Sequence, residues 1–313
     1  MGTGRSDMRS QTSAKVAARM LGGLGNQLFQ YAAGRALAKR LGAELILDCT
    51  PRPGPTRQFV LDRYPIDAEV VRDAPGKLHL RYFRLPGGLG RQLTDAFHRR
   101  VPTTYGIGGH RFRIFGETRE WSYDPHFETL TGSIYLTGYW QSYRYFENAA
   151  DLIRAEIRPA AAPSIANRTW LARIEAVNSV CLHVRRGDYL HSVSEAPMIC
   201  ARSYYDAALQ HVRRVVQEPQ IFVFSDDIAW CRDAFASTDV AFVDVNGPND
   251  AIDDLRLMAA CRHHIISNSS LSWWGAWLAQ HQGQVVVAPC PWVPGAPAHL
   301  DLLPTHWIKL PRV

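Results

Sequence analysis

The sequence predicts an α/β protein built from two Rossmann-like halves with a cleft between them. Three observations carry this. Apolar strand-like runs alternate with helix-period segments, most regularly in the second half, which implies parallel sheets joined by helical crossovers. A chain of 313 residues is long for one hydrophobic core and short for three. A run rich in alanine and proline, AAAPSIANRT (160–169), reads as a linker near the middle. The expected divisions are a basic disordered tail over 1–19, an N-terminal domain over 20–160 and a C-terminal domain over 161–313.

VAARML (16–21) opens as a strand, GGLGNQ (22–27) follows as a loop, and QLFQYAAGRALAKRLG (27–42) has helical period with Gly42 as its stop. AELILD (43–48) returns as a strand, completing a β-α-β unit. Residues 51–130 mix Pro, Gly, Arg and aromatics, and predict short helices and loops. SIYLTGYWQSYRYF (133–146) is a strand followed by an aromatic segment, and ENAADLIRAEIRP (147–159) a helix that Pro159 ends. Five strands follow, SVCLHV, IFVF, VAFVDV, HIIS and QVVVAP, separated mostly by helices. In such sheets ligands sit beyond the C-terminal ends of the strands.

Composition excludes several classes. With 46% hydrophobic and 20% charged residues this is an ordinary globular chain. The net charge is +6, but Arg5, Arg9, Lys15 and Arg19 against Asp7 alone place half of that excess in the tail. No basic stripe remains to suggest a nucleic-acid surface. The tail has no apolar core of a signal peptide, and no run approaches eighteen apolar residues, so no membrane span is expected, though peripheral contact with a membrane is compatible. Six scattered cysteines without a CxxC pair fit free thiols in a cytoplasmic, reducing setting.

The chemistry-bearing motifs each have a plain alternative. HVRRGDY (183–189) puts Arg185 and Arg186 at the end of a buried strand. Two guanidiniums there are costly to bury without an anion, and together could clamp a pyrophosphate; otherwise they are a solvated charge cluster, with His183 a satisfied core histidine. GGLGNQ, with Gly25 and Asn26, is a phosphate or sugar loop or a tight turn. It is neither GxGxxG nor a Walker A loop, although Asp48 lies near where a ribose-binding acid of a dinucleotide site would stand. FSDD (224–227), with Ser225 and Asp226, touches a ligand or caps a helix. Ser269 and Ser270 in NSSLSWWGAWL (268–278) could donate to phosphate, while Trp273, Trp274 and Trp277 read as core. Asp253 and Asp254 open a helix, where its dipole favours them. There is no DxD, HExxH, His/Cys cluster or GxSxG, so metal sites and serine hydrolysis lose support.

GGLGNQLFQYAAGRALA, GYWQSYRYF, HVRRGDY, FSDD and SNSSLSWWGAWL occur in that order. In this the chain resembles the inverting α-1,2-fucosyltransferases, over roughly residues 20–290. The pattern HxRRxD is shared with α-1,6- and protein O-fucosyltransferases. The resemblance implies a GT-B fold, an acceptor-side N-terminal domain, a C-terminal domain that binds GDP-fucose, and a galactose-terminated oligosaccharide as acceptor, with no metal and no cofactor. It implies Arg185 at the donor pyrophosphate, Arg186 in support and His183 near the nucleoside. Asp254 would accept from guanine, Ser269 and Ser270 would hold the β-phosphate, and Ser225 and Asp226 would belong to the donor site. Asn26 with Gly25 would face the fucose. A general base would be Asp188 first and Glu195 second, although Asp188 could instead hold Arg185 or Arg186 in place. The rival readings are another linkage (α-1,6 or α-1,3), a nucleotide-sugar-binding protein without turnover, an NAD-dependent oxidoreductase and a nucleic-acid binder.

Overall fold

The computed structural model describes residues 14–51, 57–73, 104–107, 109–190, 198–297 and 300–313. Two sheets organise them. The first holds β1 (Lys15–Arg19), β2 (Glu44–Asp48), β3 (Glu69–Val71), β4 (Thr104–Ile107), β5 (His110–Gly116) and β6 (Ile134–Thr137), in the order β3-β2-β1-β6-β5-β4. Its pairings are parallel except β4 with β5.

The second sheet holds β7 (Asn178–Val184), β8 (Pro219–Ser225), β9 (Val240–Phe242), β10 (His263–Ile265), β11 (Val286–Cys290) and β12 (Ile308–Pro311). Its order is β12-β11-β10-β7-β8-β9, with every pairing parallel. Counted from the start of its own half, this order is 3-2-1-4-5-6, that of dinucleotide-binding Rossmann sheets. The direction of winding reverses between β7 and β10. Strand β7 is buried from Ser179 to Val184, as a central parallel strand covered on both faces must be.

The helices are α1 (Leu24–Leu41), α2 (Ala150–Glu156), α3 (Ile165–Glu175), the single turn α4 (Gly187–Leu190), α5 (Arg202–Val215), α6 (Ile228–Phe235), α7 (Ala251–Ala260) and α8 (Ser270–Leu278). Helix α1 ends where Gly42 takes a left-handed conformation (φ 59°), and its amide and that of Ala43 close the last turn on Lys39 and Ala38.

Five expectations change. The tail cannot extend to residue 19, because Lys15–Arg19 is β1 and Arg19 is buried against Asp48 at 2.8 Å. The linker is shorter than AAAPSIANRT, because Ser164 caps α3 by accepting from the Asn167 amide and the helix begins at Ile165. Helix α1 starts inside GGLGNQ, so Gly25 and Asn26 are helical rather than loop residues. Strands β3, β4, β5 and β12 were not expected; β3, β4 and β12 are sheet edges, β5 lies next to one, and all but β4 carry charged residues in short runs. Asp48 is also lost to a dinucleotide site. It is wholly buried and engaged by Arg19, Tyr135 and Thr50.

The two sheets share one core. The main buried cluster joins Val16, Leu28 and Phe29 of the first half to Trp273, Trp274 and Val286 of the second. Phe29 lies 4.5 Å from the Trp273 ring and 5.0 Å from Trp274, and Phe146 stacks on Trp274 at 5.4 Å. The tryptophans are therefore core residues, as expected.

Candidate active site

The site is assembled where β7 and β10 end. Strands β7 and β8 run in register to Val184 and Ser225, so the residues after each strand meet. Arg185 Nε stands 3.1 Å from Asp226 Oδ2, and Arg186 Nε 3.1 Å from Asp227 Oδ2. The Arg186 amide donates to Asp226 Oδ1 at 2.8 Å, and its guanidinium lies 3.9 Å over the Trp230 ring. Asp227 also caps α6 through the Trp230 amide, 3.2 Å away. Gly187 permits this closeness, since a Cβ there would come within 3.0 Å of the Asp226 carboxylate. Asp226 and Asp227 thus orient the two arginines and balance their charge. A guanidinium has five donors in a planar fork, a geometry that suits carboxylates and phosphates alike.

His183 is 4% exposed, with Nδ1 2.9 Å from Ser267 Oγ. Burial, with Arg185 nearby, pushes its pKa down to about 4, so it is neutral at physiological pH. This is the core-histidine arrangement. Ser225 Oγ accepts from the Asp227 amide at 2.9 Å and shapes the turn after β8.

Helix α8 begins at the end of β10. Ser269 sits at its N-cap position but makes no side-chain cap bond. The hydroxyl-bearing start of a nine-residue helix thus lies on the other side of the winding reversal from Arg185. Such a helix start favours anions. Gly25 packs against it: a Cβ there would lie 2.5 Å from the Ser270 carbonyl carbon and 2.6 Å from the Leu271 nitrogen. Its carbonyl accepts from Trp274 Nε1 at 2.9 Å. The Gly25 backbone therefore serves close contact between the halves.

Asn26, one residue on, is held by Gln141, whose Nε2 donates to Asn26 Oδ1 at 2.8 Å while its Oε1 accepts from Trp121 Nε1 at 2.8 Å. Gly22, at φ +76°, makes room for the Asn26 amide. Gln141 lies inside GYWQSYRYF, but nothing in that run announces its partner. Glu117 was also missed. Both its oxygens accept from backbone amides, Tyr139 at 2.8 Å and Trp140 at 3.1 Å, so it props the turn that delivers Gln141. Burial pushes its pKa up to about 7.

Asp254, in the first turn of α7, accepts from Asn246 Nδ2 at 2.9 Å, and Asn246 pairs in turn with Asn167. Burial, helped by Asp250 and Asp253, raises its pKa to about 6. The Asp188 side chain and Glu195 lie outside the described residues. Among the described residues no three His, Cys, Asp or Glu side chains converge to hold a metal ion, and no helix is long and apolar enough to cross a membrane. All six cysteines are free thiols, as expected.

Comparison with known proteins completes the picture. The family model described as glycosyl transferase family 11 matches residues 123–300. An α-1,2-colitosyltransferase of Escherichia coli is 31% identical, over 95% of this chain and 99% of its own. The Escherichia coli O-antigen biosynthesis glycosyltransferase WbnK is 29% identical, over 88% and 93%. A galactoside α-(1,2)-fucosyltransferase 2 of Bos taurus is 25% identical, over 88% and 72%. Among solved structures, the fucosyltransferase NodZ from Bradyrhizobium matches with a TM-score of 0.47 at 15% identity, covering 85% of this chain and 93% of that one. A match over more than half the chain, with a relative aligned nearly end to end, is decisive: the chain belongs to glycosyl transferase family 11 and is a glycosyltransferase.

Proposed function

We propose that the enzyme moves L-fucose from GDP-β-L-fucose to a galactose hydroxyl of a glycan in α-1,2 linkage, with inversion and without a metal ion. The observation that carries this is the pairing of Arg185 at the end of β7 with the uncapped start of α8 at the end of β10. They flank the point where the sheet reverses, where doubly wound folds bind nucleotides. As the sugar–phosphate bond breaks, the leaving diphosphate gains negative charge, which Arg185, Ser269, Ser270 and the α8 amides would meet. Arg186, Asp226 and Asp227 hold the geometry. Asp254 would accept from the two N–H groups on the guanine edge. Asn26, held by Gln141, would face the sugar from the other half, and the acceptor hydroxyl would attack the opposite face of C1. Asp188 and Glu195 stay as the proposed bases. The enzyme would work in the bacterial cytoplasm, with peripheral contact at the inner membrane.

A second reading has its own support. The 31% identical relative is a colitosyltransferase, and colitose is fucose without its 3-hydroxyl. Comparing kcat/KM for GDP-fucose and GDP-colitose on one galactoside, with NMR assignment of the linkage, tests both. A preference for GDP-fucose and a bond to O2 is expected. A preference for GDP-colitose would replace the donor, and a bond elsewhere on galactose, such as O3 or O6, would replace the linkage.

A further inference from the structure

A pocket of about 340 Å³ is lined by none of the residues of the Arg185 cluster. Both halves line it: Tyr64, Arg154 and Arg158 from the first and its trailing segment, Leu255, Arg256 and Gln280 from the second. Its polar groups are poorly matched by the protein. Tyr64 is 4% exposed, yet its hydroxyl has no hydrogen-bond partner among the described residues. Buried Arg256 Nη1 makes no hydrogen bond either, although Asp253 Oδ1 stands 3.0 Å away as an ion pair, and Nη2 donates to the Ala161 carbonyl. Arg154 lies over the Trp277 ring at 4.1 Å and makes only long bonds to the Trp277 carbonyl, from Nε at 3.4 Å and Nη2 at 3.5 Å; its nearest carboxylate, Asp151, is 3.7 Å away and almost wholly exposed. Burial accordingly lowers the Arg154 pKa. Glu175 on the rim and Asp253 are the acidic neighbours, against three arginines.

A buried phenol with no acceptor, lining one pocket with three arginines of which one is already ion-paired to Asp253, defines a place where an acceptor belongs. From this we infer that the pocket binds a small phosphate-bearing molecule about the size of a sugar phosphate, its oxyanion held by Tyr64, Arg154 and Arg256. Guanidinium groups suit tetrahedral oxyanions, and the volume lies at the lower end for small-molecule sites. The apolar lining, Leu171, Leu255 and Leu278, would take the rest of the molecule. An occupant would bridge the halves and touch α7, the helix that carries Asp254.

The test is 31P NMR line broadening of inorganic phosphate at constant ionic strength. It is run in the Arg185→Ala protein, so that the outcome stands whether or not Arg185 itself binds phosphate. Saturable broadening is expected, weakened roughly tenfold by Tyr64→Phe and by Arg154→Gln, in line with loss of one hydrogen bond to a charged group. Tyr64→Phe removes a hydroxyl that has no partner, so its unliganded melting temperature should not fall. No binding in the Arg185→Ala protein, undiminished binding by the pocket variants, or competition by acetate as strong as by phosphate would each overturn the assignment.

Discussion

Arg185 and Asp254 carry the account at the scale of single residues. Arg185 is oriented by Asp226, so Arg185→Ala should lower kcat/KM by about a hundredfold or more while the far-ultraviolet circular dichroism stays unchanged. An active variant would remove the clamp. Asp254 makes a prediction in pH. In the proposed role it would have to be ionised to accept two N–H groups, and its pKa is about 6, so the donor KM should rise as pH falls below that value. The same shift sets a sign for stability. Folding raises this pKa from 3.8, so the ionised form weakens the fold fully above about 6, and the cost disappears as pH falls toward 4. Asp254→Asn should therefore raise the melting temperature at pH 7.5 but not at pH 4, while weakening GDP binding. At this scale the sequence revealed residue types but not partners. HVRRGDY and FSDD both stood out, yet their pairing depends on β7 and β8 ending in register, which one strand's sequence does not encode. Gln141 and Glu117 were invisible for the same reason.

At the scale of elements, the central strands and long helices were legible because their apolar periods are set by burial on both faces or on one. Strands β3, β4, β5 and β12 were not: β3, β4 and β12 are edge strands of only three or four residues, too short to show a period, and in β5 Arg111 and Arg113 interrupt the apolar run. GGLGNQ shows how a motif can be recognised and its parts misassigned. Its second half is the first turn of α1, and Gly25 is there because the start of α8 touches it. Gly25→Ala would press a methyl group against the Ser270 and Leu271 backbone, which cannot yield as a flexible side chain could. The expected loss is about 1–3 kcal/mol of stability, read by urea unfolding. An unchanged midpoint would mean that α1 and α8 are not closely packed.

For the whole molecule, the alternation of strands and helices disclosed two α/β halves, but not that one core crosses between them. That core is built from Phe29, Phe146 and the α8 tryptophans, whose three-dimensional pairing no local pattern announces. It predicts that both halves unfold together, as one calorimetric transition whose van't Hoff and calorimetric enthalpies agree. Two separated transitions would contradict the shared core. The same join seats Gly25, the neighbour of Asn26, against the α8 start of the other half, and the proposed reaction depends on that. The most direct measurement is mass spectrometry of the products formed from GDP-fucose and a panel of β-galactosides in excess EDTA. The account predicts a galactoside heavier by one fucosyl residue, with GDP released. Intact GDP-fucose, or product that forms only when metal is restored, would contradict it.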